Sequence, residues 1–141
     1  MGSYRDLDLY QVSMDFVVMA YKATCSFPKH ELFGLCAQIR RSAVSIPSNV
    51  AEGSGRNNCK EYIQFLYIAN GSLSELETQL EIAFRLDYLT DLSPYTEKIK
   101  HIRKMLIGLI DYLKNNDTNQ QVKDLNPHPS SSGPMRMRPR S

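Results

Sequence analysis

Residue types that carry chemistry are sparse in this 141-residue chain, and their spacing fits none of the common reacting sites. The histidines are His30, His101 and His128. Glu97 and His101 stand one helical turn apart, but a di-iron site in a helix bundle needs Glu-x-x-His pairs repeated on facing helices. Zinc-ligand spacing is missing as well. Cys25, Cys36 and Cys59 form no CxxC pair, and any disulfide scheme leaves one of them over, so they read as reduced thiols. Glu52-Gly53-Ser54-Gly55 is rich in glycine, yet it follows a helix-like segment and lacks the lysine that a phosphate-binding loop requires. The tyrosines and Phe65 sit at helical spacing and read as core or seam rather than as a base-stacking platform. No nucleophile stands beside a base. The expectation is a protein without catalytic activity, metal or cofactor.

What remains is binding. Arg40 and Arg41 are adjacent, Arg56 and Lys60 follow, and a second basic cluster holds Lys98, Lys100, His101, Arg103 and Lys104. A guanidinium fork suits phosphate, but it suits glutamate equally well. Glu75, Glu77 and Glu81 supply that acidic counterpart, so either complementarity between helices or a nucleic-acid backbone accounts for the cations. The net charge is +2. Residues 1–114 hold 13 basic and 13 acidic side chains and are neutral, while residues 115–141 hold 4 and 2. Neutrality argues against a generalised polyanion binder, because phosphate contacts dominate nucleic-acid affinity. Only uneven placement of the charges would make such a surface.

The elements that must position these groups are legible from apolar spacing. Leu9, Val12, Phe16, Met19 and Ala23 step by three and four. So do Leu32, Cys36, Ile39, Ala43, Ile46 and Val50; Tyr62, Leu66, Ala69, Leu73, Leu76, Leu80 and Ala83; and Tyr95, Ile99, Ile102, Leu106, Leu109 and Leu113. This period is the seam of packed helices. Phe27-Pro28 ends the first helix, and the second is expected from Lys29 or His30. Gly53-Ser54-Gly55 closes the second, with glycine available for a left-handed cap. Asn57 or Asn58 caps the third, which runs to about residue 86, and Ser93-Pro94 opens the fourth. Short links imply an antiparallel up-down-up-down four-helix bundle over residues 1–114. Residues 115–141 turn polar and then rich in proline and serine, with Arg136, Arg138 and Arg140 near the end. They read as a disordered basic tail.

Pro47 falls inside the second helix, where proline removes a backbone hydrogen bond and bends the axis. On a wheel of about 100° per residue, Gln38, Arg41, Ser42, Ser45, Ser48, Asn49, Glu52 and Arg56 gather on one side, away from Arg40. The stripe is polar but short-chained, so another backbone can approach closely. We read Gln38, Ser45, Pro47, Ser48, Asn49 and Glu52 as candidates for an oligomer interface. Arg40, Arg41, Arg56, Lys60, Lys98, Lys100, Arg103 and Lys104 are the candidates for nucleic-acid contact. The longest apolar run, residues 16–21, is too short for a membrane span, and no signal peptide opens the chain. A cytoplasmic protein is expected.

The run Arg40-Arg41-Ser42-Ala43-Val44-Ser45-Ile46-Pro47-Ser48-Asn49-Val50-Ala51-Glu52-Gly53 resembles the signature of the four helix bundle protein family. Members of that family are encoded within intervening sequences of bacterial 23S ribosomal RNA genes. Asp8-Leu9-Tyr10-Gln11, Phe27-Pro28-Lys29, Gly34-Leu35 and the block Glu61-Tyr62-Ile63-Gln64-Phe65-Leu66-Tyr67-Ile68-Ala69 are similar to it too. So is Gly71-Ser72-Leu73-Ser74-Glu75-Leu76-Glu77-Thr78-Gln79-Leu80. The likeness extends over about residues 7–114. Val50 and Cys36 depart mildly from the pattern. The family is similar in turn to the accessory variability proteins of diversity-generating retroelements. The resemblance implies a ring-forming homo-oligomer, with five subunits as the expected state. It further implies contact with structured RNA or DNA and with a reverse transcriptase. The competing expectation is a protein-interaction scaffold with no nucleic-acid role.

Overall fold

The computed structural model describes residues 3–125. Every regular element among them is helical. A 3-10 turn at Tyr4–Asp6 precedes α1 (Asp8–Thr24), and a second at Lys29–Glu31 leads to α2 (Leu35–Ser54). Two longer helices follow, α3 (Cys59–Arg85) and α4 (Ser93–Leu125). Helix α2 packs against α1 and α3, and α4 packs against α3 and, more lightly, α1; α2 and α4 do not meet.

The contacts give the register. Gly53 of α2 lies against Tyr62 and Phe65 of α3, and Ser45 bonds Ser72 at 2.8 Å. Residue numbers thus fall on α2 as they rise on α3, the order of antiparallel neighbours. Between α3 and α4, Lys114 lies over the Tyr67 ring and Arg103 reaches Glu77, again in opposite order. The shared core is Phe16, Ile39, Ile46, Leu66, Leu73, Leu76, Leu80, Ile102 and Leu106, with smaller residues between them.

Apolar periodicity named the seams of α2, α3 and α4 almost throughout, but α1 is rotated. Its buried positions are Leu9, Ser13, Phe16, Ala20 and Thr24, with Val12, Met19 and Ala23 at the flank. Small Ser13 and Ala20 sit at the centre because packing volume, not hydropathy, is limiting there. The Ser13 hydroxyl is buried with no hydrogen-bond partner among the described residues. Leu32, expected in the core, is 49% exposed, because α2 begins three residues later.

That late start has a local cause. The segment after Pro28 makes one 3-10 turn, and the Glu31 carboxylate then accepts from the Leu35 N–H at 3.1 Å. It caps α2 where no serine or asparagine is available. Tyr88 donates to its other oxygen at 2.9 Å, so both hydrogen bonds favour the ionised form and hold the Glu31 pKa below the ordinary value. Asn58 caps α3 as expected, accepting from the Glu61 N–H at 2.9 Å. At the start of α4, Asp91 accepts from both the N–H and the hydroxyl of Ser93.

One expectation about helix ends is corrected. The glycines after α2 do not adopt a left-handed cap: Gly55 has φ −89°. Gly53 serves packing instead. A Cβ there would stand 2.8 Å from the Tyr62 ring and 2.9 Å from the Phe65 Cβ, so only glycine lets α2 and α3 converge. The left-handed residue is Asp87 (φ 67°), which ends α3. Tyr88 N–H then reaches the Ala83 carbonyl at 2.9 Å and Asp87 N–H reaches Phe84 at 3.0 Å, the Schellman arrangement.

Helix α2 runs unbroken through buried Pro47. Helix α4 continues to Leu125, beyond the boundary at residue 114 from which the tail was expected. The stretch Asn115-Asn116-Asp117-Thr118-Asn119-Gln120 is polar but holds no proline or glycine, and extending a formed helix costs little. Pro127, Pro129 and the arginines of the basic tail lie outside the described residues.

Candidate nucleic-acid and self-association surfaces

The structure separates the eight candidate cations into committed and uncommitted groups. Arg40 is committed: its Nε donates to the buried Thr24 hydroxyl at 2.9 Å, and its guanidinium lies 4.7 Å from the Tyr21 ring centroid. It stitches α2 to α1. Arg56 pairs with Glu52 at 2.9 Å and lies over Phe65 at 4.6 Å. Arg103 clamps α4 to α3 through Asn70 at 3.1 Å, Ser74 at 3.2 Å and Glu77 at 2.7 Å. A fork that fits phosphate has been filled here by a carboxylate and two neutral acceptors.

Lys60, Lys100 and Lys104 are exposed and form no ion pair or hydrogen bond among the described residues. Lys100 and Lys104 lie one turn apart, so they share a face of α4. Lys98 is half-buried and points about 160° away from Lys100 on the wheel, outside that face. Lys114, which the sequence did not single out, falls on the same side as Lys100 and Lys104. The Tyr67 hydroxyl raises its pKa and keeps it charged. Its signal was present as a lysine one turn past Ile110, but only the approach of Tyr67 reveals the face. Lys60 begins α3 about two turns before Tyr67, at the same end. The α3–α4 face therefore carries Lys60, Lys100, Lys104 and Lys114, interrupted by Asp111. Arg41 is exposed on the opposite side, between α1 and α2. Since α2 and α4 are not neighbours, the two basic groups belong to different surfaces.

The interface candidates divide similarly. Ser45 bonds Ser72, and the Asn49 amide donates to the Ser45 carbonyl at 2.8 Å and hydroxyl at 3.0 Å, so both are turned toward α3. Pro47 is buried against α1. Gln38, Ser48 and Glu52 are exposed. Ser48 borders two shallow hollows, one of about 290 Å³ lined also by Tyr10, Met14, Val17, Val44, Pro47 and Ala51. The other is formed with Tyr4, Ala51, Glu52, Gly55 and Arg56.

No group of three metal-ligating side chains is assembled among the described residues. The Cys36 thiol is buried and its pKa is raised by that burial, so it is not a thiolate. None of the described helices is long and apolar enough to cross a membrane.

These observations define the class: a protein whose described residues are all-helical, with the candidate cations on two separate faces. The family model described as 23S rRNA-intervening sequence protein matches residues 5–108, and the chain belongs to that family. No curated protein was found to match the chain.

Proposed function

We propose that this protein is a non-enzymatic, homo-oligomeric accessory protein that binds structured RNA through its α3–α4 face. One observation carries this reading. Lys60, Lys100 and Lys104 have no partner among the described residues, whereas Arg40, Arg56 and Arg103 are engaged by other side chains. Uncommitted lysines on one face, repeated around an oligomer, build a positive field that residues 1–114, neutral overall, lack on average. Binding of this kind neutralises phosphates and reads the shape of folded RNA, with little contact to base edges. The family's link to rRNA intervening sequences supports a nucleic-acid setting. Kinship to the accessory proteins of diversity-generating retroelements, five subunits and a reverse-transcriptase partner belong to the same proposal.

Fluorescence anisotropy of a structured RNA against the full chain, taken through a salt series, tests it. Affinity should fall steeply with salt, and replacing Lys60, Lys100 and Lys104 with glutamine should flatten the log–log slope by about 2 to 3. Failure of the full chain to bind would leave a protein-interaction scaffold, the reading favoured by the neutrality of residues 1–114. An unaltered slope would move the contacts off this face.

A further inference from the structure

Exposed apolar side chains are spread over the molecule, from Phe33 in the α1–α2 link to Tyr112 on α4, and taken singly they need no explanation. Tyr67 differs because of its surroundings. Apolar spacing reads it as core or seam, yet it is 47% exposed on the α3–α4 face. The Lys114 Nζ lies 5.5 Å from its ring centroid, over one side of the ring. Gly71 follows one turn later on α3 and is exposed. A Cβ at Gly71 would meet nothing within 4 Å. Gly53 is required by the packing of α2 on α3, whereas no neighbour requires Gly71, although glycine inside a helix is destabilising relative to alanine. The result is a bare shelf beside an exposed aromatic ring.

Charge is arranged around this shelf. Lys60 precedes Tyr67 by seven residues, about two turns, so it lies on the same side of α3 about 10 Å away. Arg103 bonds Ser74, seven residues after Tyr67. That sets neighbouring Lys104 about 10 Å away in the other direction, with Lys100 a further turn on. Beside Tyr67 itself, Asp111 attracts Lys114, and the two charges offset each other. A flat, aromatic centre of little net charge is therefore flanked at both ends by lysines that have no partner among the described residues.

We propose that Tyr67 is a stacking platform for an unpaired base of the bound RNA, with Gly71 leaving room for the base and Lys60, Lys100 and Lys104 holding phosphates on either side. The inference rests on the RNA-binding reading above and narrows it, from folded RNA in general to RNA that presents an unpaired nucleotide. The alternation suits a nucleotide strand, whose bases are neutral and aromatic and whose charge sits on the phosphates. A duplex keeps its bases stacked on one another and offers Tyr67 no free face, whereas a bulge or loop offers one. Stacking of this kind tolerates any sequence, because every base has a π-face. An apolar protein segment fits the setting less, since it brings no counter-charge to the lysines around the shelf.

Fluorescence anisotropy of the full chain against two labelled RNAs, a blunt duplex and the same duplex carrying a short bulge, tests the platform through a salt series. The wild-type chain should prefer the bulged RNA about tenfold, the effect of one stacked base. Abasic sites in the bulge should remove that preference. Tyr67→Ala should abolish it too while leaving the salt slope unchanged, because stacking releases no counterions. Tyr67→Phe keeps the ring and should keep the preference. Gly71→Leu fills the shelf from a position that touches nothing else in the fold, and should lose it. Both positions are exposed, so circular dichroism should show the variants folded. Equal wild-type affinity for the two RNAs, or a Tyr67→Ala variant that retains the preference, would overturn the platform and leave RNA binding through the lysines standing. A flattened salt slope in Tyr67→Ala would also overturn it, since the ring would then act by placing Lys114. A wild-type chain that binds neither RNA would remove the RNA reading itself, and the platform with it.

Discussion

At the scale of single residues, Glu31 shows how much one side chain can organise. Its carboxylate caps α2 through Leu35 and receives the Tyr88 hydroxyl from the far side of the α3–α4 link. Phe27 packs against the same tyrosine ring at 5.2 Å, so one residue ties three segments together. Both hydrogen bonds depress its pKa below 4.5. A depressed carboxylate stabilises the fold above its ordinary pKa, and that stabilisation is lost as pH falls through the folded-state value. The urea unfolding midpoint of the wild-type chain should therefore drop on acidification below 4.5. Glu31→Gln should start lower at neutral pH and show a shallower acid dependence, though not a flat one, since Asp91 is depressed by its Ser93 hydrogen bonds in the same direction. An identical pH profile for the two proteins would remove Glu31 from this role.

At the scale of elements, helix ends account for most of the differences between sequence and structure. Asn58 was legible because its side chain acts within three residues. Gly53-Ser54-Gly55 was misleading, since glycine serves close helix approach as well as left-handed caps, and only the position of Tyr62 and Phe65 distinguishes the two. Asp87 carries the left-handed conformation that glycine would adopt with less strain. Asp87→Gly should therefore stabilise the protein by about 1 kcal/mol, read as a raised midpoint in chemical denaturation. A fall in stability would mean that the aspartate side chain supports the turn more than its backbone strains it.

At the scale of the whole molecule, charge is divided by face. The chain is neutral over residues 1–114, yet Arg40, Arg56 and Arg103 are drawn into contacts between neighbouring helices while Lys60, Lys100 and Lys104 are left at the surface. Delocalised, weakly hydrated guanidinium is the better group for multiple fixed acceptors, and ammonium is the better solvated charge. Arg103 and the surface lysines should thus respond differently to the same change. Arg103→Gln should cost about 1 kcal/mol of stability, a figure reduced by its partial exposure. Substituting Lys60, Lys100 and Lys104 together should alter stability by less than about 0.5 kcal/mol. Thermal denaturation of the two variants side by side would decide, and equal losses would contradict the division.

The sequence by itself determined the helical class, the four segments and most of their buried stripes, because a period near 3.5 is a local property that survives without knowledge of the partner. It also held every candidate cation and the unusual stripe around Pro47. Tertiary structure alone decided what those residues are free to do. Arg40 and Arg103 look identical to surface cations until Thr24, Tyr21, Asn70, Ser74 and Glu77 arrive from other helices. Ser45 and Asn49 look like free polar side chains until Ser72 arrives from α3 to bond the Ser45 hydroxyl. The rotation of α1 and the exposure of Phe33 likewise depend on how volumes fit across three helices. Spacing along a chain records which groups can share a face, and only the packed neighbours determine which of them remain available to a partner.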